Sequence, residues 1–298
     1  MLKSSLKNPA LRKRASEFTR LVRNSAVTPL TGTTHQAKLV ANGELGITFI
    51  GHSSFFLQIG KHNVVIDPNF ARWLFILKRL RRPGVRLQDL PPLDAVLVTH
   101  AHFDHLHRPS LRALARATRR KCGHAPALIV PVRCADLVSG LGYEKIIELD
   151  WWEEMRLGEL SITATPAKHW GARVIHDMRR GYGGYVLSGR GHSIYHSGDT
   201  AYFDGFAEIG RRLHPQVALL PIGAYSPENF REVHASPEDA LRGFMEMGAE
   251  TMIPMHYGTF KLSQEPMEEP LERLLAAARA HGVSDKVQVL EEGFPEFF

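Results

Sequence analysis

The sequence predicts a layered protein of the α/β (α+β) class, and two observations carry that expectation. Short apolar runs alternate with amphipathic helical stretches along most of the chain. Residues suited to metal binding or proton transfer follow directly after those runs, where the loops of a layered α/β protein converge on one edge. No solenoid repeat, low-complexity segment or linker divides the chain. Residues 45–298 therefore read as one domain behind a basic N-terminal extension, residues 1–44.

The extension is rich in Lys and Arg, and Leu11, Ala15, Phe18 and Val22 fall at steps of four, three and four, one stripe of a helix. That helix rests on anionic lipid, packs on the body of the protein, or frays. Residues 26–44, with Pro29, Gly32, Asn42 and Gly43, read as irregular. Strands then follow at Ile47–Ile50, Phe55–Ile59 and, after a turn at Gly60-Lys61, Val64–Asp67 closed by Pro68. The apolar run Trp73–Leu77 leads straight into Lys78-Arg79-Leu80-Arg81-Arg82. An apolar patch beside cations suits a lipid headgroup layer; a lid or a dimer contact are the other readings.

Ala95–Val98 is a buried strand, and Arg108-Pro109-Ser110 opens a helix through Arg120. Strand Ala127–Val130, a short helix Arg133–Ser139 and strand Ile146–Leu149 come next, then Trp151-Trp152, expected in the core. Strand Leu160–Thr165 is followed by a Gly- and Arg-rich loop, residues 171–184, whose Arg173, Arg179 and Arg180 either face a phosphate or sit in a solvated linker. Tyr182–Leu187 and Ser193–Tyr195 flank a turn. Helix Phe203–Arg212, strand Val217–Ile222, a helix from Pro237 with Ser236 as N-cap, strand Thr251–Met255, helix Met267–His281 and strand Val287–Leu290 complete the alternation.

Composition narrows the function classes. A net charge of +6 favours anionic partners. Two cysteines, Cys122 and Cys134, make no disulfide framework and fit a reducing compartment. No run approaches the roughly 20 apolar residues of a membrane-spanning helix, and the N-terminus lacks the apolar stretch of a signal peptide. A cytoplasmic protein, peripheral to the membrane if the apolar run meets lipid, is expected.

The chemistry centres on Thr99-His100-Ala101-His102-Phe103-Asp104-His105-Leu106, directly after a strand. Period-two spacing sends His100 and His102 to one face, and the turn brings Asp104 and His105 towards them. Imidazole and carboxylate together suit divalent zinc, manganese or iron. Four such groups here, with His169, Asp199, His234 and His256 downstream of other strands, suggest two ions rather than one. His52, in Gly51-His52-Ser53, reads either as a neighbour of the metals or as a polar loop residue.

This loop resembles the signature of the metallo-β-lactamase superfamily, which implies a four-layer αβ/βα sandwich. Leu90–Val96, Ile147–Glu154, Thr165-Pro166 with His169-Trp170, Gly198-Asp199-Thr200 and Pro221–Tyr225 narrow the likeness. Together they resemble N-acyl-phosphatidylethanolamine-hydrolysing phospholipase D and its bacterial relatives, from about Gly46 to about Pro270. The resemblance implies that His100, His102 and His169 hold a first metal, that Asp104, His105 and His256 hold a second, and that Asp199 bridges both. It also implies that His234 moves a proton or orients phosphate.

Paired divalent ions lower the pKa of a shared water to about 7 and neutralise the charge that builds on a phosphodiester. The expected activity is therefore a metal-dependent phosphodiesterase of the phospholipase D type, with Asp104, Asp199 and His234 catalytic and Arg173 and Trp73 meeting an anionic or lipid substrate. Two alternatives stand beside it: a lactonase resembling the L-ascorbate-6-phosphate lactonases, and a non-catalytic lipid- or metal-sensing module. Nucleic acid is not expected as a partner, since no separate RNA-clamping arm is present. A homo-oligomer remains open.

Overall fold

The computed structural model describes residues 19, 22–23, 26–41, 44–174 and 177–298. The helical stripe proposed from Leu11, Ala15 and Phe18 lies outside them. Fifteen strands are present in the described residues, thirteen of them in two large sheets. In the first sheet, β1 (Leu45–Gly51), β2 (Ser54–Ile59) and β3 (His62–Ile66) form an antiparallel meander. Parallel β6 (Ala95–Leu97), β7 (Ala127–Pro131) and β8 (Ile146–Leu149) extend it. β15 (Pro295–Phe297) closes its other edge beside β1.

The second sheet repeats the plan. β9 (Glu154–Leu157), β10 (Leu160–Thr165), β11 (Gly184–Gly189) and β12 (His192–His196) are antiparallel neighbours, and β13 (Val217–Pro221) and β14 (Thr251–Met255) continue in parallel from β12. A two-residue-per-arm hairpin, β4 (Trp73–Leu74) and β5 (Leu77–Lys78), stands apart.

Period-two alternation explains the layers. Ile47, Phe49, Val64, Ile66, Leu97 and Ile129 point inward to meet Ile162, Leu187, Val217, Leu219 and Ile253 of the other sheet. Their neighbours Ile50, Val65, Val96 and Leu128 point outward, under Leu111 and Leu114 of helix α1 (Arg108–Cys122) and Val138 of α2 (Ala135–Val138). On the far side, Ala218, Leu220 and Met252 lie under Phe206 of α3 (Gly205–Leu213), Phe244 of α4 (Pro237–Met247) and Leu274 of α5 (Glu269–Ala280). The result is the expected helix–sheet–sheet–helix sandwich, with strands buried on both faces.

Local signals account for the helix ends. Ser236 Oγ accepts from Asp239 N while the Asp239 carboxylate accepts from Ser236 N, a reciprocal cap that starts α4 as its sequence predicts. α1 uses His107 Nδ1 as its cap and stops at Gly123, whose left-handed backbone no side chain opposes.

Three expectations need correction. Val287–Leu290 is no strand: Val287 makes one bridge to Met252, and the chain then crosses to the first sheet, where Pro295–Phe297 pairs with β1. β9, at an edge and alternating between exposed and half-buried, carries too weak an apolar pattern to be read in advance. Of the tryptophan pair, Trp152 packs on the outer core but Trp151 is exposed. No helix of the described residues is long and apolar enough to cross a membrane, and both cysteines are free thiols.

The cations after the apolar run are anchored within the protein. Arg79 is 1% exposed; it donates to the carbonyls of Ala71, Asn69 and Arg81 and lies over the Phe260 ring. Lys78 donates to Thr28 O, Arg82 to Gly32 O, and Arg81 pairs with Glu292. The segment is thus a brace for the hairpin. Replacing Arg79 with Met leaves buried carbonyls without a donor and should lower stability by about 3 kcal/mol in urea unfolding; a loss below about 1 kcal/mol would show that those carbonyls find other partners.

Candidate metal centre

β3 and β6 lie side by side and parallel, so their ends deliver Asp67 and Thr99 to the same place. Thr99 N and Oγ1 both donate to the Asp67 carboxylate, at 2.8 and 2.6 Å. His105 Nδ1 donates to the same carboxylate at 2.7 Å, and His100 Nδ1 lies 3.0 Å from Thr99 Oγ1. These bonds occupy the outer nitrogen of each ring and turn Nε2 into the site. His102 is the exception: its Nδ1 points inward, 2.9 Å from His100 Nε2 and 3.2 Å from His169 Nε2.

The second sheet supplies the rest. His169, after β10, donates Nδ1 to Val233 O at 2.8 Å. Asp199 follows β12, and His256 follows β14. Ala235 N donates to Thr200 O, which seats His234 beside Asp199 at the start of α4. Asp199 Oδ2 is the common point: it lies 3.2 Å from His105 Nε2, 3.1 Å from His256 Nε2, 3.8 Å from His100 Nε2, 4.0 Å from His169 Nε2 and 3.9 Å from His234 Nδ1.

Three overlapping groups result, in each of which the ligand atoms lie within 4.8 Å of one another: His100, His102, His169 and Asp199; His52, Asp104, His105 and His256; Asp199, His234 and His256. All seven residues expected as ligands, and His234, are brought together. Several of the converging atoms have no hydrogen-bond partner although buried: His105 Nε2, Asp199 Oδ1, His234 Nδ1 and both ring nitrogens of His256. Buried polar atoms left this way are costly unless a cation meets them.

The electrostatics ask for the same thing. Burial works against ionising Asp104 and Asp199, yet the imidazoles around them, His105 foremost, hold both carboxyls well below the usual range. Burial also disfavours charge on His100 and His169, which titrate well below an ordinary histidine and present bare lone pairs. His105 and His256 go the other way: Asp199 and its neighbours overcome burial and raise both, His256 to about 9. Positive charge is stabilised where the two groups meet. The residues fit divalent metal.

Two contributors are not fixed by the sequence. In the sequence Asp67 reads only as the end of a strand; a carboxylate closing an apolar run immediately before Pro68 is its one signal. His52 reads equally as a neighbour of the metals and as a polar loop residue. Both hold left-handed backbones, φ 45° and 63°, as do Ala224 and His256 nearby, at 66° and 60°. Such strain in non-glycine residues gathers where structure serves a site.

The substrate side differs from expectation. A cleft of about 310 Å³ opens over Asp104, Asp199, His234 and His256 and is walled by Leu74, Phe75, Phe103, Trp170, Phe230 and Leu262. Trp73 is not part of the wall; its hairpin neighbours are. Arg173 is not either. Its Nη1 donates to Ala101 O and Leu106 O at 2.8 and 2.7 Å and its guanidinium covers Phe103, so it clamps the histidine loop. Arg180 is likewise turned away, onto Asp136 and Asp177.

Asp67→Ala frees the outer nitrogen of His105 and should weaken divalent-metal binding about 10–100-fold, measured by zinc competition with a chromophoric chelator. Stripping metal from the protein with a chelator should lower its melting temperature, and adding zinc should restore it, since ions that bind only the folded state stabilise it. An unchanged melting curve across both steps would count against the centre.

Comparison with known proteins places the chain in a family. Residues 62–257 match the beta-lactamase superfamily domain. An uncharacterized protein of Mycobacterium tuberculosis is 34% identical over 80% of this chain and 66% of its own length. The mitochondrial N-acyl-phosphatidylethanolamine-hydrolyzing phospholipase D of Saccharomyces cerevisiae is 31% identical over 84% of this chain, which spans only 55% of that protein. A metal-dependent hydrolase of Rubrobacter xylanophilus is 32% identical over 84% of this chain and 96% of its own. The solved structure of Igni18, a metallo hydrolase of the archaeon Ignicoccus hospitalis, aligns with a TM-score of 0.63 at 26% identity, over 86% of this chain and 98% of that one. The matched stretch carries most of both sheets and every expected ligand, and the chain belongs to the metallo-β-lactamase superfamily.

Proposed function

We propose that this protein is a dinuclear metal-dependent hydrolase acting on a phosphodiester, of the phospholipase D type. The observation that carries the reading is the position of Asp199, whose Oδ2 is shared by two groups of imidazoles under one apolar cleft. In this reading His100, His102 and His169 hold one ion, Asp104, His105 and His256 the other, and Asp199 both. Zinc suits these donors, and manganese and iron accept them too. Two such ions, when bound, supply a water acidic enough to ionise near pH 7 and neutralise charge building on phosphorus.

The chain's own residues do the rest. Asp104 and Asp199, held ionised, offset part of the metal charge and leave a net attraction for a singly charged diester. His234 lines the cleft, its Nδ1 is buried without a hydrogen-bond partner 3.9 Å from Asp199 Oδ2, and burial pushes its pKa down to about 4. It therefore acts as a neutral donor that orients a phosphoryl oxygen rather than as a standing cation. The apolar wall excludes water from the reacting centre and accepts hydrocarbon. Phe75 and Ile76, 71% and 48% exposed at the hairpin tip, extend that apolar surface beyond the mouth, which suits a substrate presented by a lipid layer.

The yeast relative's name supports the phospholipase reading. The lactonase alternative fares less well on the cleft: among the described residues no lysine or arginine lines it, so nothing there meets a sugar phosphate remote from the reacting carbonyl.

After reconstitution with zinc or manganese, N-acyl-phosphatidylethanolamine vesicles, a simple phosphodiester and a lactone should be assayed side by side. Phosphodiester turnover is expected, and a lactone cleaved far faster would decide against it. Asp104→Asn should reduce turnover by more than the roughly 100-fold typical of a residue that only orients a ligand. His234→Ala should lower kcat about 10²–10³-fold with metal content unchanged. Full activity in either variant would remove its assigned role.

A further inference from the structure

We infer that His52 is a positioning residue for one half of the centre: it aims the Asp104 carboxylate and seats His256, and it serves one metal and not the other. The inference rests on the dinuclear reading above and deepens it.

His52 leaves the end of β1 with a left-handed backbone and is 2% exposed. Its main chain is fixed at both ends. His52 N donates to Thr259 Oγ1 at 2.8 Å, and His52 O accepts from His256 N at 2.8 Å. The ring packs against His256, centroids 4.3 Å apart, and edge-on to Phe260 at 5.4 Å. Within that frame Nε2 donates to Asp104 Oδ2 at 3.0 Å.

The carboxylate needs this. Asp104 sits on a turn after β6 and is the more exposed of the two site aspartates, with 15% of its side chain accessible against 2% for Asp199. A carboxylate oxygen has two lone-pair directions. His52 takes one on Oδ2, and the other faces His105 Nε2 and His256 Nε2, 3.7 and 3.6 Å away. An arriving ion therefore meets an oxygen already turned towards it.

His52 falls in the same group as Asp104, His105 and His256, but its Nε2 is already spent on Asp104 Oδ2, so it serves that carboxylate rather than adding a ligand of its own. Of its three hydrogen bonds among the described residues, the two that reach the centre, to Asp104 and His256, end on residues assigned to the same ion; none reaches His100, His102 or His169. The effect of losing it is accordingly one-sided.

The test compares wild type, H52F and H52Q by zinc titration against a chromophoric chelator, with bound metal counted by elemental analysis. Circular dichroism and melting temperature check the fold. H52F keeps a ring but loses the donor; H52Q restores an amide donor. We expect wild type to bind two ions and H52F to retain one at wild-type affinity, with the second weakened about 10–100-fold and largely recovered in H52Q. If H52F does not fold, H52N takes its place, since asparagine tolerates the left-handed backbone but its amide falls short of Oδ2. Two ions bound with wild-type affinity in the donor-less variant would overturn the inference. So would equal weakening of both ions, or no recovery in a folded H52Q. Fewer than two ions in wild type would instead overturn the dinuclear reading itself.

Discussion

Asp199 is a carboxylate 3% exposed, at the seam where two sheets meet. Moving such an ion out of water costs several kcal/mol unless opposite charge surrounds it, and this requirement organises the structure around it. The turn that carries Asp199 passes through Gly198, at φ 62°, where an added Cβ would come within 2.6 Å of Gly183 O and 2.8 Å of the Thr99 side chain. Only glycine lets the end of β12 come this close to the end of β6. That approach brings the histidine loop within reach of Asp199.

The centre is accordingly a property of sheet packing and belongs to neither sheet alone. The first sheet contributes His52, Asp67, His100, His102, Asp104 and His105, and the second contributes His169, Asp199, His234 and His256. Polar ties keep the two in step at the seam. Tyr185 OH donates to Val98 O at 2.8 Å, Gly183 N to Thr99 O at 3.1 Å, and His196 Nε2 to Ser53 O at 2.9 Å. Behind them the apolar layer shared by the sheets sets the spacing, so that core packing and ligand geometry are one constraint.

The basic balance of the chain does not accumulate in the cleft. Arg79, Arg82 and Arg173 are committed to main-chain carbonyls, and Arg81 and Arg180 to carboxylates. Guanidinium forks are well suited to bracing irregular backbone, and here they stiffen the hairpin and the histidine loop. The cleft itself has a floor of candidate metal ligands under aromatic and aliphatic walls.

Much of this was legible in the residues themselves. His100, His102, Asp104 and His105 sit close in sequence, so their grouping needs only a strand end and a turn. The apolar runs of β3, β6, β7, β13 and β14 announce buried strands by their composition, and Ser236-Pro237 with Asp239 announces α4 by its capping chemistry. These features were readable because each depends on neighbours within a few residues. The direction taken by Arg79 and Arg173, the absence of a strand at Val287–Leu290, and the parts played by Asp67 and His52 depend on groups distant in the chain. A long guanidinium goes wherever carbonyls lack donors, and a carboxylate or imidazole near a metal centre acquires its role from whichever ring or acid faces it. The sequence by itself determined which donors exist and on which strand ends they stand; the tertiary structure decided which of them share a lone pair, because only the packing of one sheet on the other sets distances of about 3 Å between residues fifty or more positions apart.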